Sequence, residues 1–370
     1  MNKTSKIITG ALIAIVAIGG IWYGVSKKQT PIEKSPVKVG VIGHFSGKYA
    51  DYGIPMRKAV ELAVEEINQK GGIDNQKVEL VIEDDNSDSN NAATAMNKLI
   101  SIDNINYIIS AQGSGVTSAI TPIAQNNKRI LMITLGSAPD LTAIGDYIFR
   151  SVPSDTYQAV KMNDFINNTL KSKKVAGLYL NDSYGVGIKK IINSNANVNN
   201  VDSEMFESAS TDFRTQLLKI KESGADTLVI VAHDEYPTIL KQLNELKLNV
   251  KIIASETFKD EKILGNSRNN AEGVYVTFMA DPKDYMDFNN KYQAKFNEKP
   301  SAYSMYAYDG IIALTKAINQ ENSIEKVKNN LLKITFNGAS GQVGFSADRD
   351  RTGSEYTVFV VKNGQFTEAK

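Results

Sequence analysis

The chain reads as α/β, two Rossmann-like lobes built on parallel sheets. Three observations predict this. From residue 37 onward short apolar runs alternate with amphipathic helical stretches, the pattern of strands covered by helices on both faces. The alternation comes in two series that change over near residues 151–155. The length, 370 residues, exceeds an ordinary single domain and leaves room for two cores.

The first series opens at residues 37–42, an apolar run stopped by Gly43 and read as a buried strand. Pro55 is expected to open a helix. Met56, Val60, Ala63 and Ile67 share one face of it, and Gly71-Gly72 ends it. Residues 78–82 form the next strand, stopping at Glu83-Asp84-Asp85, and 92–100 the next helix. Residues 107–110, 130–133 and 148–150 read as strands, with a helix at about 116–125. The second series runs helix 156–170, strand 175–180, a helix from 186, helix 213–223, strand 227–231, helix 237–247, strand 250–254 and strand 274–278. Helices follow at about 285–297, 303–319 and 324–333. No solenoid repeat is present, and low complexity is confined to Asn-rich loops such as 193–200.

Composition narrows the function. Hydrophobic content of 42% with 22% charge is that of a soluble globular protein. A net charge of +1 without a basic stripe gives no field for nucleic acid. There are no cysteines, so disulfides, thiolate zinc sites, cysteine nucleophiles and a lipid-modified cysteine are excluded. The two histidines, His44 and His233, lie far apart in sequence, and no metal site or cofactor is expected.

Residues 1–36 stand outside the fold. Lys3 and Lys6 precede an uncharged apolar run at 7–25, 19 residues long. That is close to the ~20 residues of a membrane-spanning helix and longer than the ~7–15 of a signal-peptide core. No clear small-x-small cleavage site precedes Lys27, and Trp22 and Tyr23 sit where an interfacial aromatic belt would be. Residues 1–28 therefore read as a membrane anchor or a signal segment, and 29–36 as a tether. Either way the rest of the chain is exported.

The chemistry sits at the strand ends. In order come Gly43-His44-Phe45-Ser46-Gly47 with Tyr52-Gly53, then Ser114 to Thr117, Ser137 to Thr142, Asn181 to Gly185, and Ser255-Glu256. Open α/β sheets bind ligands at the carboxyl ends of their strands. Ser114 at a helix N-terminus reads as a cap, and the free N–H groups and dipole there also favour an anion. Thr117, in the first turn, adds a hydroxyl. Glu256 is a lone carboxylate after the strand at 250–254, suited to an ammonium that would otherwise be buried unpaired. Hydroxyls, N–H groups, aromatics and one carboxylate suit a small zwitterion. They do not suit bond-breaking chemistry. Gly40 to Gly43 lacks the spacing of a dinucleotide turn. Glu83-Asp84-Asp85 cannot all face one ion from an extended chain, and an Asp there is better placed as a cap or loop anchor. No strained Ser elbow follows either histidine.

The order and spacing of these motifs resemble the branched-chain amino-acid binding proteins of ABC transporters, which have the type I periplasmic-binding fold. The resemblance runs from about Val37 to the C-terminus, clearest at Val39 to Gly43, Ser46-Gly47, Tyr52-Gly53, Ala63 to Ile73, Glu83 to Asp85, Ser137 to Thr142 and Tyr184-Gly185. It implies three crossovers, at roughly 152–155, 279–283 and 348–353, between lobes that close as a clamshell. Lobe 1 is then 37–153 with 282–350, and lobe 2 is 154–281 with 351–370. It implies that Ser114 contacts a ligand α-carboxylate, that Leu135 offers backbone groups, and that Ser137 offers its N–H and hydroxyl. Leu135 stands for a small residue and Ser137 for a Thr. It implies that Glu256 receives the ammonium and that Tyr52, Tyr184 and Tyr308 surround the ligand side chain. The family's remaining aromatic falls here at Ala232 or His233, so His233 is either a lining residue or a solvated loop histidine.

The expected function is an extracytoplasmic solute-binding protein, a monomer, that captures a small amino acid and hands it to an ABC permease. The alternative is a ligand-sensing ectodomain for a small amide, urea or polyamine, and Glu256 separates the two because an uncharged ligand does not need it. A sugar-responsive repressor core is opposed by the apolar N-terminal run in place of a DNA-binding helix-turn-helix. An enzyme is opposed by the lack of a nucleophile–base pair or metal set.

Overall fold

The computed structural model describes residues 35–280, 282, 285–318 and 323–369. The apolar N-terminal segment, residues 29–34 of the expected tether, and parts of the expected second crossover lie outside the described residues. Among the described residues no helix is long and apolar enough to cross a membrane.

The first sheet contains β1 (Val37–Gly43), β2 (Val78–Asp84), β3 (Tyr107–Ala111), β4 (Ile130–Ile133) and β5 (Ile148–Arg150), in the order β2-β1-β3-β4-β5. All its pairs are parallel. Side chains alternate faces along a strand, and the strands divide accordingly. Val39, Val41, Ile109, Met132 and Phe149 enter a core shared with α1 (Ala50–Gln69). Ile42, Ile108, Leu131, Ile133 and Ile148 enter another, under α2 (Ser89–Ser101) and α3 (Ser114–Asn126). Continuous apolar runs are thus strands buried on both faces.

The second lobe repeats this plan. β6 (Val175–Leu180), β7 (Asn200–Phe206), β8 (Thr227–Val231), β9 (Lys251–Ala254) and β10 (Tyr275–Met279) pair in parallel in the order β7-β6-β8-β9-β10. The connecting helices are α4 (Asp155–Asp164), α5 (Ser183–Ser194), α6 (Arg214–Glu222), α7 (Tyr236–Glu245) and the short α8 (Glu261–Ser267). Next, α9 (Tyr285–Phe296), α10 (Ser304–Ala317) and α11 (Ile324–Leu331) return to the first lobe, where α10 packs on α1. A hairpin of β11 (Thr335–Gly338) and β12 (Gly341–Gly344) precedes the last return, to β13 (Tyr356–Lys362) and β14 (Gln365–Glu368). The connections between lobes run side by side: Arg150 N donates to Arg349 O at 3.1 Å, and Ala280 N to Glu355 O at 3.0 Å.

The structure corrects the expected pattern in three places. The second sheet is mixed, because β13 lies antiparallel to β10 and β14 antiparallel to β13. Asn363-Gly364 makes that last turn, with φ of 52° and 71°, the Asn-Gly geometry of a tight hairpin. β7 was not expected, since it is a half-buried edge strand with a polar sequence. The first helix starts at Ala50, so Pro55 lies inside it. Pro55 forfeits only the bond to the Asp51 carbonyl, and Asp51 is exposed, where water serves instead.

Candidate functional site

A sheet with order 2-1-3-4-5 reverses direction between its first and third strands, and ligands bind at that switch point. Both lobes have one. In the first it lies between β1 and β3, where His44 and Gly113-Ser114 emerge. In the second it lies between β6 and β8, where Asp182, Tyr184 and His233 emerge. The two switch points face each other. The cleft between them encloses about 610 Å³, part of it open to solvent, and its lining includes Tyr52, Ser114, Leu135, Ser137, Tyr184, His233 and Glu256.

The two Tyr-Gly pairs do the same job in each lobe. A Cβ on Gly53 would lie 2.2 Å from the His44 carbonyl oxygen, and one on Gly185 2.1 Å from that of Leu180. Only glycine lets the helix start press so closely against the end of the preceding strand. The tyrosine before each glycine is thereby held at the cleft wall. Tyr184 stacks on His233, with centroids 5.1 Å apart and planes 13° apart. Tyr49 meets the same imidazole edge-on at 5.5 Å. His233 is therefore a lining residue that joins an aromatic wall built from both lobes. Lys48 Nζ reaches Glu235 Oε1 at 3.3 Å, and Lys262 Nζ reaches Asp51 Oδ2 at 2.8 Å, so the lobes also touch at the rim.

One end of the cleft is lined by hydrogen-bond donors. Ser114 is 5% exposed. Its Oγ accepts from the N–H groups of Ser137 and Ala138, both at 3.1 Å. With both lone pairs engaged, its hydroxyl proton is left to donate into the cleft. Gly115 and Val116 follow in the first turn of α3 and line the cavity, and first-turn N–H groups have no intrahelical partner. The Ser137 N–H, expected to point at a ligand, is instead spent on Ser114. The loop bearing Leu135 and Ser137 is fixed from behind, where Ser137 O accepts from Asp155 N at 2.9 Å and from Arg150 Nη1 at 2.7 Å.

The other end is acidic. Glu256 is 5% exposed and begins a single turn after β9. Its Oε2 accepts from Tyr184 Oη at 2.8 Å and from Gln158 Nε2. Burial pushes its carboxyl above the usual range, opposed by those two hydrogen bonds. Among the described residues no lysine or arginine lines the cavity. The site therefore has N–H and O–H donors at one end, a carboxylate at the other, and aromatic surface between.

Two expected site residues are not brought to the cavity. Thr117 is fully buried, and its Oγ1 donates back to Gln112 O at 2.9 Å. Tyr308 points away, donating to Glu66 Oε2 at 2.8 Å and packing on Phe288. Tyr303, five positions earlier, faces the cleft instead, its ring 6.1 Å from that of Tyr52.

His44, Tyr49, Asp182 and Thr257 also line the cavity without having been singled out as ligand contacts. Gly113 N–H donates to His44 Nε2 at 3.0 Å, so the other ring nitrogen carries a proton, which it gives to Asp85 Oδ1 at 2.8 Å. Asp84 Oδ1 accepts from the N–H groups of Phe45, Ser46 and Asn86. The acidic run at 83–85 is thus a loop anchor. Among the described residues no cluster of metal-ligating groups exists.

Two switch points facing across a cleft define a two-lobed solute-binding protein. The chain matches the periplasmic binding protein family over residues 36–365, and it belongs to that family. Relatives include the leucine-, isoleucine-, valine-, threonine- and alanine-binding protein of Pseudomonas aeruginosa, 26% identical over 87% of this chain and 89% of that one. The Leu/Ile/Val-binding protein of Escherichia coli is 26% identical over 90% and 93%. Among solved structures, the branched-chain amino acid transporter substrate-binding protein of Streptococcus pneumoniae in complex with isoleucine superposes with a TM-score of 0.78, at 26% identity, covering 90% of this chain and all of that one. The leucine-binding protein of Thermotoga maritima superposes at 0.81, with 25% identity over 90% and 98%. The family is extracytoplasmic and binds ligands, so this chain is a binding protein and not an enzyme.

Proposed function

We propose that the cleft captures a small α-amino acid, of branched-chain type, and that the protein delivers it to an ABC permease. The observation that carries this is Glu256, buried across the cleft from the Ser114 hydroxyl and the N-terminus of α3. A zwitterion spans those two poles, with its carboxylate on Ser114 and its ammonium on Glu256. Tyr52, Tyr184, Tyr303, Leu135 and Val116 offer apolar surface to the side chain. An amide or urea brings no cation to the buried Glu256, which then keeps only its hydrogen bonds from Tyr184 and Gln158, and a buried charge without a counter-charge costs free energy. The relatives that bind leucine, isoleucine and valine support the same reading.

The closing units in this reading are lobe 1, residues 37–153 and 282–350, and lobe 2, residues 154–281 and 351–370. The protein works as a monomer, held at the outer face of the cytoplasmic membrane by residues 1–28. N-terminal sequencing of the native protein tests that last point, since a mature start near residue 27 means a cleaved signal instead.

Calorimetry on residues 37–370 tests the ligand. Leucine, isoleucine and valine are expected to bind, whereas N-acetyl-leucine, which has no ammonium, is expected to bind at least tenfold more weakly. Ser114→Ala is expected to cost about 1–3 kcal/mol, the worth of one hydrogen bond to a charged group. Binding of neutral amides alone would transfer the protein to the sensing alternative.

A further inference from the structure

We infer that His44 is a positioning residue for the ligand carboxylate, acting through Gly113 to hold the start of α3 so that its first-turn N–H groups face the cleft. This deepens the amino-acid reading above and rests on it.

The N-cap of α3 is Gly113, with φ of −63° and ψ of 164°, and Ser114 is the first helical residue. A Ser, Thr, Asp or Asn at an N-cap accepts from the second or third N–H of its helix. Asp182 does this for α5 across the cleft, accepting from Gly185 N at 3.0 Å. Glycine has no side chain to do it, and among the described residues no side-chain hydrogen bond caps α3. The N–H groups of Gly115 and Val116 are therefore not consumed by a cap. Both residues line the cavity beside Gly113 and Ser114.

The same choice leaves the helix start loosely held, because glycine has the widest range of backbone conformations. Packing does not make up for it. A Cβ built on Gly113 would meet only His44 Nε2 within 4 Å, at 3.7 Å, its chain neighbours aside. His44 supplies the anchor from the end of β1. Its backbone N–H donates to Ala111 O at 3.4 Å, and its ring Nε2 accepts from Gly113 N–H at 3.0 Å. The turn is thus gripped on both sides of Gln112. The ring is fixed in its turn, since Nδ1 donates to Asp85 Oδ1 at 2.8 Å and Tyr49 lies against it at 5.6 Å between centroids. Asp85 is fully buried and accepts from Ser87 N at 2.7 Å and from Gln112 Nε2 at 2.6 Å.

The ring of His44 lines the cavity, yet both its nitrogens are engaged behind the wall. It has no polar group left to offer a ligand. What it sets is the place of Gly113, and with it the direction of the N–H groups that follow. Hydrogen bonds weaken steeply once distance and angle depart from the optimum, so a carboxylate on Ser114, Gly115 and Val116 feels any drift of this turn.

Two variants separate that role from simple support of the fold. His44→Gln carries its amide near the place of Nε2, where it still accepts from Gly113 N–H but gives up Asp85. His44→Asn carries its amide near the place of Nδ1, where it still donates to Asp85 but gives up Gly113. Asp85 is the buried acid, so fold support alone makes Asn the milder change, whereas positioning makes Gln the milder one. In calorimetry with leucine, isoleucine and valine, the Gln variant is expected to bind close to wild type. The Asn variant is expected to bind about tenfold more weakly or worse, the effect of one hydrogen bond to a charged group. Thermal melts are expected to rank the variants the other way, Asn above Gln. Amide exchange in the ligand-free proteins, read by NMR, is expected to be slow at Gly113 in wild type and Gln and fast in Asn. Equal affinity losses in the two variants, or a larger loss in Gln, overturn the inference. So does the same ranking in affinity and in melting temperature, or equal exchange at Gly113 in wild type and Asn. If wild type binds no free amino acid, the amino-acid reading is discarded, and the exchange rates still decide whether His44 holds the helix start.

Discussion

Glu256→Gln is expected to lower the affinity for a free amino acid by at least tenfold while leaving the empty protein folded. The glutamine keeps the shape, and its carbonyl still accepts from Tyr184 Oη, now 2.8 Å from Glu256 Oε2. What it removes is the charge facing the ligand ammonium. Truncating one member of a buried ion pair costs about 2–5 kcal/mol of binding. The sign of the effect on the empty protein is opposite. Burial raises the Glu256 carboxyl, so the folded state holds its proton more tightly than the unfolded state does. That contribution to stability is complete below the ordinary carboxylate range and is lost as pH rises through the raised value. The variant lacks this loss, so its denaturation midpoint should exceed that of wild type at neutral pH and match it more closely in acid. Ligand affinity runs the other way in wild type, falling as acid protonates the group that receives the ammonium. Calorimetry across pH 5 to 8, with parallel denaturant titrations, reads both trends. Unaltered leucine affinity in the variant would place the ammonium elsewhere.

The sequence showed which strand ends meet, because buried parallel strands are continuous apolar runs and each ends in a polar turn. Ser114, Leu135, Ser137, Tyr184 and Glu256 all lie just after such a run, and all reach the cavity. Choosing within an element was harder. Tyr303 and Tyr308 are five residues apart, so about 500° of helical rotation separates them and they face different ways. Which one meets the cleft depends on how α10 is seated against α1, and that is a tertiary matter. Thr117 shares a helix face with Ser114, yet its hydroxyl finds a nearer acceptor in its own N-terminal turn. The His44–Asp85–Gln112 network joins three strand ends separated by 41 and 27 residues. No local pattern announces it. The Asn363-Gly364 turn was a local signal, and reading it would have added β13 and β14 and so the mixed character of the second sheet.

Arg150→Met is expected to weaken the fold and the site together. The arginine is fully buried at the end of β5. Its Nε and Nη2 donate to Asp350 Oδ1 at 2.9 and 2.6 Å, and its Nη1 donates to the carbonyls of Ser137 and Ala138. One side chain thus ties the returning segment at residue 350 to the loop that faces the ligand. Methionine fills much of the volume but leaves two carbonyls and a carboxylate without their donor. Breaking a buried pair costs about 3–5 kcal/mol, and the lower end applies here because water reaches part of Asp350. Against a typical total of about 5–15 kcal/mol the protein still folds, but its denaturation midpoint should drop clearly. Ser137 N–H and Ser114 Oγ are set through the same loop, so leucine affinity should fall as well. Arg150→Lys should restore little of either, because one ammonium cannot serve a carboxylate and two carbonyls from the fixed fork of a guanidinium. Asp350→Asn, which keeps an acceptor for Arg150, should do less harm than Arg150→Met. If Arg150→Met lost stability but bound leucine as wild type does, the cleft loop would owe its geometry to Ser114 and Asp155 alone, and the link from the returning segment to the ligand would be discarded.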